Sequence, residues 1–143
     1  MKILVFGKLG QVGQELGVCL KEYEDAEIIY ADRKVANLEH PDECAEVIYL
    51  NSPDLIINAA AYTNVEKAED EEELANIING HSPTAMAEAA KHIKCPFIHL
   101  STDYVFDGYE KGPKSEEFLD YLVANKIPKK IGRINLCHAL NTK

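Results

Sequence analysis

KILVFGKLGQVG, residues 2–13, reads in two halves. Lys2–Phe6 is an apolar run closed by a glycine, the pattern of a strand buried on both faces of a parallel sheet. Gly10–Glu22 reads as a helix, with Val12, Leu16, Val18, Cys19 and Leu20 largely on one side. Between the halves lie glycines at 7, 10 and 13. Gly7 permits a tight turn, Gly10 lets backbone approach a pyrophosphate, and Gly13 lets the helix pack closely on the sheet. A pyrophosphate there sits on the free N–H groups of the helix N-terminus. Asp32 ends a second apolar run, EIIYAD, about 20 residues after the loop, where a carboxylate can hold an adenosine ribose. A glycine triplet alone is a weak signal. Strand, triplet, helix and placed acid together read as a dinucleotide-binding unit. Asp32 favours NAD, whereas Arg33 and Lys34 could neutralise the extra phosphate of NADP, so both cofactors stay open.

Working outward, strands and helices alternate. Val35–Leu38 reads as a short third strand, PDECAEVIYL (41–50) as a helix opened by proline and acids, and DLIINA (54–59) as the next strand. Glu71–Lys94 is mostly helical, with an expected break at Gly80–Pro83 where Ser82 caps a fresh helix. PFIHL (96–100) is the last strand. The expected fold is α/β, a Rossmann-type doubly wound parallel sheet of order 3-2-1-4-5, incomplete at its C-terminal side.

Composition narrows the function. A chain of 143 residues is one domain's worth. A net charge of −9 argues against nucleic acid as a partner. No apolar run approaches the ~20 residues that span a bilayer, and the N-terminus has no signal-peptide core, so a cytoplasmic protein with no membrane partner is expected. Cys19, Cys44, Cys95 and Cys137 form no C-x-x-C pair, and His40, His81, His92, His99 and His138 show no metal spacing; free thiols and no metal are expected. The acids at 69–73 read as a solvated helix start. Charge changes sign along the chain: residues 118–143 hold five bases and one acid, and residues 1–117 ten bases against 23 acids.

Four segments together resemble the extended short-chain dehydrogenase/reductases, and within them the dTDP-4-dehydrorhamnose reductase family: KILVFGKLGQVG, PDLIINAAAYTNVEKAE (53–69), the Asn79 region and IHLSTDYVFDG (98–108). The resemblance covers residues 1 to about 117 and implies NAD(P)H-dependent reduction of dTDP-4-dehydro-6-deoxy-L-mannose to dTDP-L-rhamnose, a cell-surface polysaccharide precursor. It places Gly10, Gln11 and Val12 on the cofactor diphosphate and Asp32 on the ribose. Asn37 and Leu38 flank the adenine, although the family more often has an acid at the first of these positions. Ala61, Tyr62 and Thr63 line the cofactor. Thr102 and Asp103 face the nucleotide-sugar, with Thr102 polarising its 4-keto group. The residues of STDYVFDG agree, because hydroxyls and a carboxylate at the carboxyl end of a strand lie where open α/β sheets bind ligands.

The family's proton donor is a Tyr-x-x-x-Lys pair, in which the lysine charge lowers the phenol pKa. From the spacing of STDYVFDG the pair belongs near 126 and 130, where this chain has Lys126 and Lys130. Tyr121 is followed four residues on by Asn125, and the sole Tyr-x-x-x-Lys string, Tyr30 to Lys34, ends the second strand. The family also grips its substrate with a C-terminal lobe. The expectation is therefore an NAD(P)-binding domain over 1–117 and a non-matching basic tail over 118–143, either a frameshift product or a diverged helical tail. Such a chain is inactive alone unless the lobe is supplied elsewhere. The alternative is a non-catalytic cofactor-binding regulatory or structural subunit. An exposed parallel edge at 96–100 makes a homodimer, or a marginally stable monomer prone to aggregation, the expectation.

Overall fold

A computed structural model describes residues 1–100. Thr102, Asp103, the 126/130 positions and the tail at 118–143 lie outside the described residues. The elements in order are β1 (Lys2–Phe6), α1 (Gln11–Cys19) with a 3₁₀ turn Leu20–Glu22, β2 (Glu27–Ala31), α2 (Pro41–Asn51), β3 (Leu55–Asn58), α3 (Val65–Ala68), α4 (Glu72–Asn76), a π-helical turn Ile77–His81, α5 (Ser82–His92) and β4 (Phe97–His99). The strands form one parallel sheet in the order β2-β1-β3-β4. This is the expected order without the third strand.

Val35–Leu38 is a turn segment because its amides are taken locally before a ladder can form: the Asp32 carbonyl accepts those of Val35 (3.0 Å) and Ala36 (2.9 Å), and side chains hold the residues around them. Asp32 Oδ1 accepts the amides of Lys34 (2.8 Å) and Val35 (3.3 Å), and Asn37 Oδ1 accepts that of Glu39 (3.2 Å). Such Asx turns compete directly with strand pairing.

Strand alternation sends side chains to two faces. Leu4, Phe6 and Ile56 are buried beneath α2 and α5 with Ile48, Met86 and Ala89. Ile3, Val5 and Ile57 are buried on the other face, where Leu16 and Leu20 pack against them. Each such side chain removed from water contributes ~1.5–3 kcal/mol. On α1 the inward face differs from the expected one. Gly13, Leu16, Gly17 and Leu20 turn toward the sheet, while Val12, Val18 and Cys19 are exposed. Glycine, invisible to a hydrophobicity count, supplies half of that face.

The expected break at Gly80–Pro83 is absent too. The helix continues through its π-helical turn into α5, where Pro83 lies in the first turn and lacks the amide a regular turn would use. Ser82 does not cap; its hydroxyl donates 44 residues back to the Leu38 carbonyl (2.5 Å).

Two glycine replacements on one helix should behave oppositely. A Cβ on Gly13 would overlap the Gly7 carbonyl and lie 2.9 Å from Lys8 Cα, whereas a Cβ on Gly17 meets only the Tyr30 hydroxyl, at 3.2 Å. Gly13→Ala should destabilise by about 3 kcal/mol or more, or prevent folding. Gly17→Ala should fall within about 1 kcal/mol of wild type, since helix propensity offsets the contact. Urea unfolding checks both, and equal losses would contradict the packing described.

Candidate functional site

The carboxyl ends of β1, β2 and β3 release three loops from one edge of the sheet. β1 lies between β2 and β3, so the chain departs from it in both directions, the arrangement that opens a crevice in α/β sheets. Every candidate residue within 1–100 belongs to one of these loops or to the start of α1.

The first loop is the glycine triplet. Gly7 has φ +88° and its ideal Cβ would stand 2.7 Å from the Ala60 nitrogen, so only glycine fits. Gly10 ends the turn, its amide donating to the Gly7 carbonyl (3.1 Å). It precedes α1 with no side-chain cap, and Gln14 is the first amide to bond back into the helix, to the Gly10 carbonyl (2.9 Å). The amides of Gln11, Val12 and Gly13 begin the helix and have no turn before them to bond. Among the described residues, a Cβ on Gly10 meets only Gly7 O at 3.5 Å and Ala59 O at 3.9 Å, which are ordinary contacts. The packing of residues 1–100 does not need glycine there, which leaves room above Gly10 among those residues. Gln11 and Val12 are exposed beside it. Lys8, also exposed, holds its ammonium 4.7 Å from the Tyr30 ring centroid.

The second loop follows β2. Asp32, half-buried, shares one carboxylate oxygen between two loop amides. Arg33 and Lys34 are exposed beside it. Asn37 is fixed on both sides: its amide donates to Glu43 (3.1 Å) and its carbonyl faces the Cys44 thiol (3.8 Å). Leu38 is held by Ser82 and packs on the core. Burial pushes the Cys44 thiol up to about 11, so it is a packing group and not a nucleophile.

The third loop, 59–64, hangs on side chains. Ala60 donates to Asn58 Oδ1 (3.0 Å). Tyr62 donates its amide to Asn79 Oδ1 (2.7 Å) and accepts Asn79 Nδ2 at its carbonyl (2.9 Å), so one buried carboxamide grips both sides of one residue. The Tyr62 hydroxyl donates to Glu71 Oε2 (2.6 Å), and that carboxylate bond pushes the phenol up to about 12. Ala61 and Thr63, on either side, are exposed.

Beneath this loop Asn58 and His99 meet across β3 and β4. Asn58 Oδ1 accepts the Ala60 amide, so its Nδ2 donates to His99 Nδ1 (3.0 Å) and the ring proton belongs on Nε2. Nε2 is buried without a partner among the described residues. Desolvation pushes His99 down to about 4.

The sequence gives Asn58 and Glu71 no individual role, names Asn79 only by its region and assigns Ser82 to a cap; of these, Asn58 carries a signal of its own, a polar end to an apolar strand, and the structure buries Asn79 to 9% exposure. No helix among the described residues is long and apolar enough to cross a membrane, and no group of three or more His, Cys, Asp or Glu among them could hold a metal ion.

A family model for the RmlD substrate binding domain matches residues 1–119. The dTDP-4-dehydrorhamnose reductase of Burkholderia thailandensis is 40% identical over 116 residues, 81% of this chain and 38% of that protein. The enzyme of the same name from Escherichia coli K12 is 44% identical over 110 residues, 76% of this chain and 37% of that protein. Among solved structures, a dTDP-4-dehydrorhamnose reductase from Clostridium acetobutylicum superposes with TM-score 0.73 at 36% identity, covering 81% of this chain and 41% of that one. The Bacillus anthracis enzyme in complex with NADP gives 0.69 at 32% identity, covering 76% and 38%. The chain thus spans about two-fifths of the length of the relatives it matches.

The His99 shift has a sign that can be checked. Unfolded, the imidazole takes a proton near 6.5; folded, near 4. Between those values the unfolded chain binds more protons, so stability falls as pH drops from 6.5 toward 4. Its share of the loss between pH 7 and 5 should be about 2 kcal/mol. Urea midpoints of His99→Gln, which retains an acceptor for Asn58, should fall less over that interval. A pH slope equal to wild type would contradict the neutral buried ring.

Proposed function

We propose, because this chain belongs to the RmlD substrate binding domain family, that residues 1–117 hold NADH or NADPH for the reduction of a nucleotide-linked 4-keto-6-deoxy sugar, the relatives' dTDP-4-dehydrorhamnose. One observation carries the reading: the start of α1 has no side-chain cap, and the described residues leave room above Gly10 that their own packing does not require. The residues fit a dinucleotide. The α1 amides and Gly10, Gln11 and Val12 would take its diphosphate, Asp32 its ribose, and Asn37 and Leu38 its adenine, while Ala61–Thr63 would wall the nicotinamide end. Bound there, a reduced nicotinamide supplies a hydride.

Both cofactors are expected to bind. The Asp32 carboxylate is engaged by two loop amides, which spread its charge, and Arg33 and Lys34 stand exposed to meet a 2′-phosphate. Thr102 would donate a hydrogen bond to the 4-keto oxygen, with Asp103 beside the sugar. The new alkoxide needs a positioned acid, and Tyr-x-x-x-Lys does not occur in these 143 residues beyond Tyr30–Lys34. The proposal is accordingly a cofactor-holding unit without turnover of its own. That absence also favours a second reading, a non-catalytic cofactor-binding subunit.

Calorimetry of wild type and two Gly10 variants tests the site. Gly10→Ala should melt like wild type yet bind NADPH roughly tenfold more weakly, and Gly10→Val should not bind. No wild-type binding up to millimolar nucleotide would sink the proposal.

Lys34→Ala and Arg33→Ala should weaken NADPH by roughly tenfold and leave NADH unchanged. Equal losses for both nucleotides would show that these side chains do not meet the 2′-phosphate.

With dTDP-4-dehydro-6-deoxy-L-mannose and NADPH, the 143-residue chain should show no nucleotide oxidation above background, since general acid catalysis alone is worth about 10²–10⁴ in rate. Turnover that vanished on Thr102→Val would overturn this.

A further inference from the structure

The acids at 69–73 are not alike. Glu69, Asp70, Glu72 and Glu73 are exposed, and Glu71 is half-buried. It stands just before α4 but does not cap it. Its carboxylate, which could have met the free amides of that helix, turns to the Tyr62 hydroxyl nine residues back. The Glu71 backbone is held from both directions, its amide donating to the Lys67 carbonyl (2.8 Å) and its carbonyl accepting the Ala75 amide (2.9 Å). The carboxylate therefore projects from a fixed point.

Tyr62 needs a fixed point. Asn79 grips its amide and carbonyl, both at one residue. With Ala60 tied to Asn58 and Asn64 to the Lys67 amide at the loop's ends, these two bonds fix the path of the backbone but hold nothing of the Tyr62 side chain. The phenol-to-carboxylate bond is the attachment that holds the side chain, and at 2.6 Å a charge-assisted one. Without it the Tyr62 side chain would be free to leave its place between Ala61 and Thr63, the exposed residues on either side.

We propose that Glu71 is a positioning residue, which through the Tyr62 hydroxyl fixes the Tyr62 side chain in the wall that Ala61–Thr63 present to a bound nicotinamide nucleotide. This rests on the proposal that Ala61–Thr63 wall the cofactor. Glu71 itself touches no ligand.

The test is the NADPH dissociation constant, by nucleotide fluorescence, for wild type, Glu71→Ala, Glu71→Gln, Tyr62→Phe and the double variant Tyr62→Phe/Glu71→Ala, with a thermal melt of each without nucleotide. Glu71→Ala and Tyr62→Phe should each bind roughly 5- to 20-fold more weakly, and the double variant no more weakly than either. Glu71→Gln, whose amide oxygen still accepts the phenol, should bind within about twofold of wild type. In Glu71→Ala the Tyr62 ionisation should return from about 12 toward its ordinary 10.0, read by tyrosinate absorbance against Tyr62→Phe. If wild type does not bind, the cofactor reading fails. If wild type binds and Glu71→Ala binds equally well, the positioning role fails. It fails too if Glu71→Gln loses as much affinity as Glu71→Ala, or if the two single losses multiply in the double variant.

Discussion

A Cβ on Gly13 would overlap the Gly7 carbonyl, so α1 and the end of β1 touch backbone to backbone. Gly7 in turn sits at φ +88° against the Ala59–Ala60 backbone. The end of β1, the start of α1 and the exit of β3 thus converge where side chains have no room. Convergence brings Leu16 and Leu20 down onto Ile3, Val5 and Ile57. It also directs the unpaired first amides of α1 across the carboxyl edge of the sheet. Packing and site geometry follow from one steric condition, which couples the glycines at 7 and 13 to stability. Gly10, between them, is free of that condition among the described residues.

Beyond that edge, loops replace ladders, and something must occupy their amides and carbonyls. Short polar side chains do so. Asp32 folds the segment after β2, Asn37 turns the approach to α2, Asn58 catches Ala60, Asn64 caps α3 through the Lys67 amide (3.1 Å), and Asn79 grips Tyr62. Asx side chains resemble a peptide group in reach and bonding capacity, and so can finish a backbone that has left its sheet. The same chemistry disposes of the strand expected at Val35–Leu38. Its residues suit a strand, but the aspartate and asparagine around it claim the backbone first.

Legibility in the sequence tracked distance along the chain. The strands at Lys2–Phe6 and Leu55–Asn58 declare themselves because burial on both faces of a parallel sheet demands apolar runs, and those at Glu27–Ala31 and Phe97–His99, less buried, because they too are largely apolar. The glycine triplet declares itself because strand, turn and helix are contiguous. The supports did not. Ser82 reaches Leu38 across 44 residues, Asn58 reaches His99 across 41, and Asn79 reaches Tyr62 across 17. Nothing near Ser82 distinguishes a hydroxyl that caps a helix from one that holds a distant carbonyl, and Pro83 beside it strengthens the wrong choice. The inward face of α1 is hidden in the sequence for a related reason. Its closest approach is made by Gly13 and Gly17, which periodicity in apolar side chains cannot register.

The supports also explain how one edge of the sheet can be irregular and still have its backbone groups bonded. A loop tied by its own backbone would need a partner strand, and a partner strand would fill the crevice. Tied instead by the Glu71 carboxylate just before α4, the Asn79 carboxamide of the π-helical turn and the Ser82 hydroxyl of α5, the loops are held from behind. Their outward residues, Ala61, Thr63, Gln11 and Val12, stay unencumbered. The widened turn at Ile77–His81 carries Asn79, and π-helical turns often occur at functional sites because they reset which residues face inward. Here Asn79 is buried against the Tyr62 backbone, and Ser82, just past the turn, is buried against the Leu38 carbonyl. One helical irregularity thereby serves two loops that leave different strands, and ties both to a single element.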